Sequence, residues 1–548
     1  MMRTDTERPR WRHWAALLLL GLPMFMMATD FTAIFLAVPP LAADLEPSAT
    51  QLLWIVHIGE LVAAGTLITM GWLIGRIGPR TLLLAALVLY GIGSALAGFA
   101  PNAETLLIAR ALIGAATAAA SPAAYAMLRW LFTSARHYSV GFAVVMGAFP
   151  VGAALGPPLT GLLLEHFWWG SVFLINVPVA AVAVLGGLWL FPDADERTTD
   201  RIDITSVVVS IAAVMLTVFG LQEIADQGFS LTYVLSVSGG VVLGWWFIRR
   251  QRRITNPLLD LSVFAYRVLR ISVLFFLLSP LAFMAADFIL IQHLQIVVGI
   301  STGTLGIILA IPGAASMAAT ALTPVLAAKF TPATVMTVGT GTGVLGLVVL
   351  LIAVTAHPVT WLFAVGMTIA ALGASPTMVL GAQLMLTSVS KMQTGPVAAI
   401  QDISASLGAA VGIMVLGSLS TAVFRRGVDS DAPEAISEAD LDAATESPGA
   451  AAAIAGEVGG STGEHLLSVV HDAWTWATVA TYTVAAIIGM LMMIVISRGL
   501  RGIRLPSDDQ DDGQQTDPSP TNGEDALSPA TEQHMPAGYK PDPKRSGP

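Results

Sequence analysis

Residues 81–99, TLLLAALVLYGIGSALAGF, form an uninterrupted run without a single charged side chain. A helix of this length can cross a hydrocarbon layer about 30 Å thick. Similar runs recur along the whole 548-residue chain, of which 55% is hydrophobic and only 12% is charged. A soluble domain carries about 25% charged residues. The sequence therefore predicts an all-α membrane protein.

Fourteen apolar runs can be delimited. The first is too long for a signal peptide and lacks a small-residue cleavage site, so we expect it to remain as a span. The absence of cysteine excludes disulfides and thiolate metal sites. The predicted spans are 14–38, 52–75, 81–99, 104–128, 139–164, 170–191, 203–224, 230–248, 267–296, 302–326, 332–354, 358–386, 395–422 and 472–497.

Lysine and arginine are distributed unevenly between the two sides that fourteen spans define. All of the 27 except Arg110, Arg425 and Arg426 fall in the tails, in alternate loops or at the span ends beside them. Loops rich in these residues stay in the cytoplasm, so we expect both termini there. Arginine outnumbers lysine, and both alanine and glycine are abundant. This composition favours a bacterial source, so we expect the protein in a bacterial plasma membrane.

The spans and the segments between them suggest a division of the chain. The 424–471 segment is either a solvated loop, with possible short helices at 436–443 and 450–458, or a cover over the outer mouth. We expect a cytoplasmic tail 1–13, a six-helix bundle 14–191, two extra linker helices 203–248, a second six-helix bundle 267–497 that includes the extracellular loop 424–471, and a disordered cytoplasmic tail 505–548.

Six acidic, basic or histidine side chains lie at least five residues inside the predicted spans, namely Asp30, His57, Glu60, Arg110, Asp287 and Asp402. A charge at the bilayer centre costs roughly 2.5–3.5 kcal/mol on insertion scales, so such residues are candidates for function. By depth, the first four fall in the outer halves of their spans. We therefore expect contacts among Asp30, His57, Glu60 and Arg110.

Each acidic group has a functional and a structural interpretation. Asp30 either carries a proton or fixes spans one and four by hydrogen bonding. His57 and Glu60 share a helical face, and they form either a proton relay, with Glu60 also attracting cationic cargo, or the wet end of span two. Asp287 lies among Met and aromatic side chains, and it either binds a lipophilic cation or is a polar hinge facing solvent.

A weak internal repeat relates the two halves. Arg76-Ile-Gly-Pro79-Arg80 ends the second span, and Lys329-Phe-Thr-Pro332-Ala333 ends the tenth. Each follows a helix rich in small residues. This pattern suits two bundles related by an axis along the membrane normal, with a site between them.

Several motifs resemble those of the major facilitator superfamily. The loop signature is Gly71-x-x-x-Gly75-Arg76-x-Gly78-Pro79-Arg80, with Gly75 where the family has an acidic residue. Arg110-Ala-Leu-Ile-Gly114 resembles the buried-arginine motif of span four. The segment Gly152-x-x-x-Gly156-Pro157-x-x-Thr160-Gly161 resembles the antiporter motif, with Thr160 where glycine is usual.

Further motifs are similar to those of its fourteen-helix drug:proton antiporter subfamily. They are Asp30-x-Thr32-x-x-x-x-Ala37-x-Pro39, Trp54-Ile-Val, and Phe173-Leu-Ile-Asn176-Val-Pro178. His57 follows Trp54-Ile-Val where similar proteins often have aspartate. The resemblance covers residues 12–500 and implies a major-facilitator fold with fourteen helices.

The resemblance also implies roles for the site residues. Arg110 would act in proton coupling by biasing a neighbouring acid, with Asp30, His57 and Glu60 as its partners. Asp402 lies where similar proteins carry acidic residues in span thirteen, and it would be a second proton or cargo carboxylate. The conformational motif residues would be Gly71, Arg76, Gly78, Arg80, Gly152, Gly156, Pro157 and Gly161.

These patterns predict a proton-coupled antiporter that exports lipophilic cations or quaternary ammonium compounds by alternating access. The sequence also allows an exporter of one dedicated metabolite, lipid or antibiotic, and a sensor or assembly partner that does not transport. Glycine-rich stretches such as 339–346 lack the Gly-Lys-Ser/Thr of a nucleotide loop. We expect a monomer in the lipid bilayer that handles small molecules and protons, with no enzymatic activity, cofactor, metal, nucleotide or nucleic acid.

Overall fold

The computed structural model describes residues 11–193, 203–300, 302–355, 360–433 and 436–503. The tail predicted at 505–548 and the first ten residues of the tail predicted at 1–13 lie outside these ranges. Within them the chain is helical, with no strand, and the helices are α1 (Trp11–Leu45), α2 (Ala49–Ile77), α3 (Pro79–Gly98), α4 (Ala103–Leu131), α5 (Ala135–His166), α6 (Ser171–Leu174), α7 (Asn176–Leu190), α8 (Ile204–Gln227), α9 (Leu231–Gln251), α10 (Arg267–Ile296), α11 (Thr302–Lys329), α12 (Pro332–Thr355), α13 (Thr360–Thr387), α14 (Thr394–Asp431), α15 (Glu438–Glu446), α16 (Pro448–Val458) and α17 (Gly460–Gly499).

Fourteen membrane-spanning segments occur in the described part of the chain, as the sequence predicts. The short helix α6 and the helix α7 together form the sixth segment, Ser171–Leu190. The helices α15 and α16 are too short to cross a membrane. The remaining helices each provide one segment, so the all-α membrane fold is confirmed.

Local sequence signals define the ends of α2, α3 and α4. Ser48 and Gln51 form a reciprocal capping box at the start of α2. Gly78 stands between α2 and α3 with a φ of 87°, a conformation that glycine adopts without strain, and Pro79 begins α3. The side chain of Asn102 caps α4 by accepting a hydrogen bond from the amide of Thr105.

The helices pack as two bundles joined by a linker pair. In the N-terminal bundle α1 packs on α5, α4 packs on α2 and α3, and α7 packs on α1 and α3. In the C-terminal bundle α10, α14 and α17 pack together, and α12 and α13 form a close pair. The linker helices α8 and α9 pack on each other, and α8 also contacts α2 and α14. One linker helix therefore touches both bundles.

The two sides of the membrane differ in charge. We call the side that carries Arg76, Arg129 and the 249–253 segment the basic side, and the other the acidic side. On the acidic side, much of the segment predicted as the 424–471 loop is helical, because α14 continues to Asp431 and α17 already begins at Gly460. Between them, α15 and α16 pack on α14 and α17.

Candidate functional site

An ion pair connects α1 and α4 inside the N-terminal bundle. Arg110 Nη1 lies 2.5 Å from Asp30 Oδ2, and Arg110 Nε donates a hydrogen bond to the carbonyl of Ile55 at 3.2 Å. Arg110 is only 3% exposed, and its guanidinium lies 5.9 Å from the ring centroid of Phe173. A buried arginine cannot lose its proton, so it needs a partner of this kind.

Small residues let the helices around this pair approach closely. A Cβ on Gly114 would lie 2.1 Å from the carbonyl oxygen of Gly59, which brings α4 against α2. A Cβ on Gly152 would lie 2.5 Å from the carbonyl oxygen of Phe25, and one on Gly156 would meet Thr32. The antiporter-motif glycines of α5 therefore hold α1 in the position from which Asp30 reaches Arg110.

The predicted relay residues of α2 lie beside the pair. Glu60 interacts electrostatically with His57, Arg110 and Asp30. Its side chain is exposed, whereas His57 is half-buried. The structure thus brings together all four residues that the sequence places in the outer halves of their spans, with a second carboxylate near the same arginine.

Asp287 lies on the exposed face of α10, a helix of the C-terminal bundle. Met284 and Phe288 beside it are 45% and 54% exposed. Asp287 interacts electrostatically with Tyr482 of α17, a fully buried residue whose hydroxyl has no hydrogen-bond partner in the described structure. The site consists of one carboxylate flanked by a flexible thioether and an aromatic ring.

Asp402 connects the two bundles. The hydroxyl of Ser121 on α4 donates a hydrogen bond of 2.7 Å to Asp402 Oδ2 on α14. Next to it, Leu67, Ala118 and Ala399 form a small apolar cluster with one member from each of α2, α4 and α14. Asp402 is therefore an element of the bundle interface, which the sequence does not reveal.

Arg129 forms a second polar connection between the bundles on the basic side. Its Nη1 donates to the carbonyl oxygens of Leu386 and Val389, at 2.9 and 2.8 Å, and to Thr394 Oγ1 at 2.9 Å. One arginine of α4 thereby joins the end of α13 to the start of α14. Hydrogen bonds from a charged group are among the stronger ones.

Two helix pairs approach closely where the bundles meet. A Cβ on Gly71 of α2 would lie 2.8 Å from the carbonyl oxygen of Gly395 on α14. A Cβ on Gly147 of α5 would lie 3.3 Å from Thr320 of α11. These positions fall in the basic halves of the four helices. The bundles are therefore in close contact on the basic side.

The loop-signature residues have separate structural functions. Gly78 ends α2 as described, and Arg76 lies 5.8 Å from the ring centroid of Trp72. Arg80 pairs with Asp193 and donates a 2.6 Å hydrogen bond to the carbonyl of Leu188, so its contacts stay within the N-terminal bundle. Gly75 supplies no acid for a charge contact between bundles, and Arg129 provides a polar contact there instead.

Gly161 and Pro157 of the antiporter motif are less buried than Gly152 and Gly156. A Cβ on Gly161 would have no neighbour within 4 Å, so close packing does not require glycine there. Pro157 is half-buried within α5. Thr160, which replaces a glycine of the family motif, is 2% exposed.

Sequence reasoning missed Ser121, Arg129 and Gly395. Arg129 resembles any basic residue at the cytoplasmic end of a span, and serine and glycine are ordinary in packed membrane helices. A polar Ser121 amid a run of alanines in α4 was the available signal. No group of three or more metal-binding side chains occurs among the described residues.

Comparison with known proteins extends the motif evidence to the whole chain. The family described as Major Facilitator Superfamily matches residues 20–413. The "Multidrug efflux pump LfrA" of Mycolicibacterium smegmatis is 34% identical over 507 residues, which cover 91% of this chain and 98% of the relative. The "Methyl viologen resistance protein SmvA" of Salmonella typhimurium is 28% identical over 489 residues, covering 88% and 97%. The "Tetracenomycin C resistance and export protein" of Streptomyces glaucescens is 27% identical over 506 residues, covering 90% and 92%.

Solved structures of low sequence identity share the fold. The human organic anion transporter MFSD10 has a TM-score of 0.58 at 14% identity, covering 89% of this chain and 100% of that one. The proton:xylose symporter XylE has a TM-score of 0.57 at 14% identity, covering 91% and 98%. Together with the family match and the motifs of α1, α4 and α5, this likeness assigns the multi-pass chain to a transporter family: it belongs to the major facilitator superfamily.

Proposed function

We propose that this protein is a proton-coupled antiporter that exports lipophilic, cationic drugs by alternating access. The observation that carries the proposal is the buried Asp30–Arg110 ion pair with Glu60 beside it. Two carboxylates near one permanent cation can exchange a proton without leaving a buried charge unpaired. The printed names of two relatives, a multidrug efflux pump and a methyl viologen resistance protein, support drug export. Methyl viologen is a dication.

The proposed coupling follows from charge balance around Arg110. When Asp30 takes up a proton, Arg110 loses its ionic partner, and Glu60 is the next carboxylate within electrostatic range. His57 interacts electrostatically with the same Glu60. Protonation of Asp30 would thus pull α2 and α4 toward a new arrangement, which links the proton to a movement of helices.

We propose that acidic residues outside the Asp30–Arg110 pair recognise cargo. A carboxylate facing lipid at this depth is costly, so we propose that the face of α10 with Asp287 lines the space between the bundles. There it would attract the cationic group of a cargo, while Met284 and Phe288 contact apolar parts. Glu60, whose side chain is exposed, and Asp402, which lies at the contact of α4 with α14, are the other candidate cargo carboxylates.

Alternating access requires that the contacts on the basic side break. The hydrogen bonds of Arg129 and of Ser121 join the bundles only while the basic halves of α2 and α14 are together. We propose that the basic side is cytoplasmic, following the distribution of Lys and Arg, in the plasma membrane of a bacterium. The described arrangement is then the one closed to the cytoplasm, in a protein that works as a monomer.

The ratio of protons to cargo determines which gradient drives export. Exchange of one proton for one monovalent cation moves no net charge, so the pH gradient alone would drive it. A second proton per cycle would add about 2.3 kcal/mol for each 100 mV of membrane potential. Asp30 and Asp402 are separate carboxylates in different bundles, so the chain can support either ratio.

Proton flux in liposomes tests the proposal most directly. We expect Asp30→Asn to abolish proton movement driven by a quaternary ammonium dye, because the variant residue cannot exchange a proton. Asp44→Asn is the matched control, since Asp44 lies on the same helix and only accepts a 2.7 Å hydrogen bond from Trp169. If Asp30→Asn retained full proton-coupled exchange, Asp30 would not be the residue that carries the proton.

A dedicated antibiotic exporter is the second candidate function. It is favoured by one relative, named a tetracenomycin C resistance and export protein, which aligns over 90% of this chain. Competition decides between the two. A broad set of cationic dyes that displace one another supports multidrug export, whereas transport of a single compound that no dye inhibits supports the dedicated exporter.

A further inference from the structure

A cluster of exposed arginines ends the linker pair on the basic side. Arg249, Arg252 and Arg253 are all exposed. Arg250 differs, because Asp203 Oδ2 accepts a hydrogen bond of 2.8 Å from its Nε and Asp203 Oδ1 accepts one of 3.0 Å from its Nη2. These bonds lower the pKa of Asp203 to about 2, so the pair stays charged at neutral pH. Three positive charges of the cluster therefore remain available to a partner.

Hydrogen bonds of the Gln251 side chain hold this cluster in a fixed place. Gln251 is 3% exposed. Its Nε2 donates a 2.8 Å hydrogen bond to Ser206 Oγ on α8, and its Oε1 accepts a 2.7 Å bond from the amide of Leu258. The turn that carries Arg252 and Arg253 is thereby tied to α8 and to the segment before α10. Preorganised charges bind a ligand at a lower entropic cost than charges on a mobile tail.

The helix that leads into the cluster presents an apolar surface. Only 11% of the most apolar stretch of α9 is buried inside the protein. Near the basic end, Trp245 and Trp246 are 58% and 42% exposed, and the guanidinium of Arg249 lies 5.3 Å from the ring centroid of Trp245. Exposed tryptophans at a span end lie at the level of lipid headgroups.

We propose that the basic end of the α8–α9 linker is a binding site for an anionic phospholipid. The headgroup phosphate would contact Arg249, Arg252 and Arg253, since one guanidinium group can donate two parallel hydrogen bonds to two phosphate oxygens. The acyl chains would lie along the exposed apolar face of α9 beneath the tryptophans. An anion without acyl chains would contact the arginines but not the apolar face of α9. Basic residues near a membrane surface are expected to favour anionic lipid in this way.

Lipid binding at this place would act on the linker specifically. The linker pair contacts the bundles through α8, whereas most of the surface of α9 faces outward. A lipid held at the end of α9 would fix the depth and tilt of the pair in the membrane. The site is independent of the proposed cargo and proton residues.

Native mass spectrometry of the full chain in detergent tests the proposal with two probes, phosphatidylglycerol and phosphatidylcholine of identical acyl chains. We expect the unaltered protein to retain phosphatidylglycerol preferentially. The triple variant Arg249→Gln, Arg252→Gln, Arg253→Gln should bind phosphatidylglycerol on the order of a hundredfold more weakly, since each such charge contributes roughly a factor of five. Equal retention of the two lipids by the unaltered protein would overturn the proposal.

Two further variants distinguish a specific lipid site from a general effect of positive charge and from misfolding. The matched control, Arg12→Gln with Arg136→Gln and Arg501→Gln, removes the same charge from exposed residues away from the linker pair and should keep the preference. Asp203→Asn releases Arg250 as a fourth cation, so it should increase phosphatidylglycerol retention. An equal loss in the control, or no increase in Asp203→Asn, would contradict a site at the linker.

Discussion

At the scale of the residue, two glycines of one motif face different surroundings. A Cβ at Gly152 would lie 2.5 Å from a backbone oxygen of α1, whereas one at Gly161 would meet nothing within 4 Å. Backbone cannot rotate away as a side chain can. The motif therefore contains a position that packing requires to be glycine and another that packing leaves open.

We expect Gly152→Ala to destabilise the protein by roughly 1–3 kcal/mol, because α1 and α5 must separate to admit the methyl group. Gly161→Ala should leave stability close to that of the unaltered chain. Thermal unfolding in detergent measures both. A Gly161→Ala variant as unstable as Gly152→Ala would contradict this packing explanation, because alanine has the higher helix propensity and its methyl group would meet no atom within 4 Å.

The sequence predicted part of the candidate site at this scale. Insertion cost and depth alone indicated that Asp30 and Arg110 would approach each other, since a buried charge needs a partner. The partner of Asp402 was not predictable, because Ser121 lies far away in the chain and serine is common in membrane helices. A polar pair between distant helices depends on how the bundles dock, which no local pattern encodes.

At the scale of the element, Arg129 determines how firmly α4 holds α13 and α14. We expect Arg129→Gln to shift the equilibrium toward the state open on the basic side by roughly 10- to 100-fold, because hydrogen bonds to a charged group contribute about 1.5–3 kcal/mol. Distances between spin labels at Arg136→Cys on α5 and Lys329→Cys on α11 would report the change. The chain has no cysteine of its own, so labelling is specific.

The control for this measurement is Arg501→Gln, which removes an exposed arginine beyond the end of α17. It should leave the distance distribution unchanged. An unaltered distribution in Arg129→Gln would mean that the apolar contacts of α2 with α14 are sufficient to hold the basic side closed. A shift in both variants would indicate a general effect of charge.

Helix boundaries show what hydropathy can predict at this scale. It located all fourteen spans, because twenty apolar residues are an unmistakable signal. It ended the thirteenth at 422, whereas α14 continues to Asp431, since polar residues outside the membrane still extend a helix. Leu466 and Val470 of α17 precede the predicted span and are buried against the acidic-side helices, so packing stabilises this part of the helix outside the lipid.

At the scale of the whole molecule, α15 and α16 form an apolar unit with α14 and α17 on the acidic side. Ala451 is fully buried in a cluster with Phe424, Val428 and Trp474. We expect Ala451→Glu to detach α16, because burying an unpaired charge is costly. Proteolysis within residues 436–458 should become faster, while the matched variant Ala453→Glu, at an exposed position, should resist cleavage as the unaltered protein does.

If Ala451→Glu were cleaved no faster than Ala453→Glu, the helices would be held by their capping residues and not by the apolar cluster. Dye export by the two variants then measures whether this unit affects transport. A cover over the mouth would change the rate of cargo release, whereas a brace for α17 would change stability alone.

The contact of α8 with both α2 and α14 constrains the motion of the whole transporter. Gly65 of α2 fits against Met215 of α8, and Trp54 stacks on Phe219 with ring centroids 5.5 Å apart. If the bundles rock apart on the basic side, as the proposed alternating access requires, α8 cannot follow both of them. It must slide along one, and the aromatic stack favours its staying with α2. We therefore expect the ease with which α8 slides along α14 to affect the rate of the proposed transport cycle.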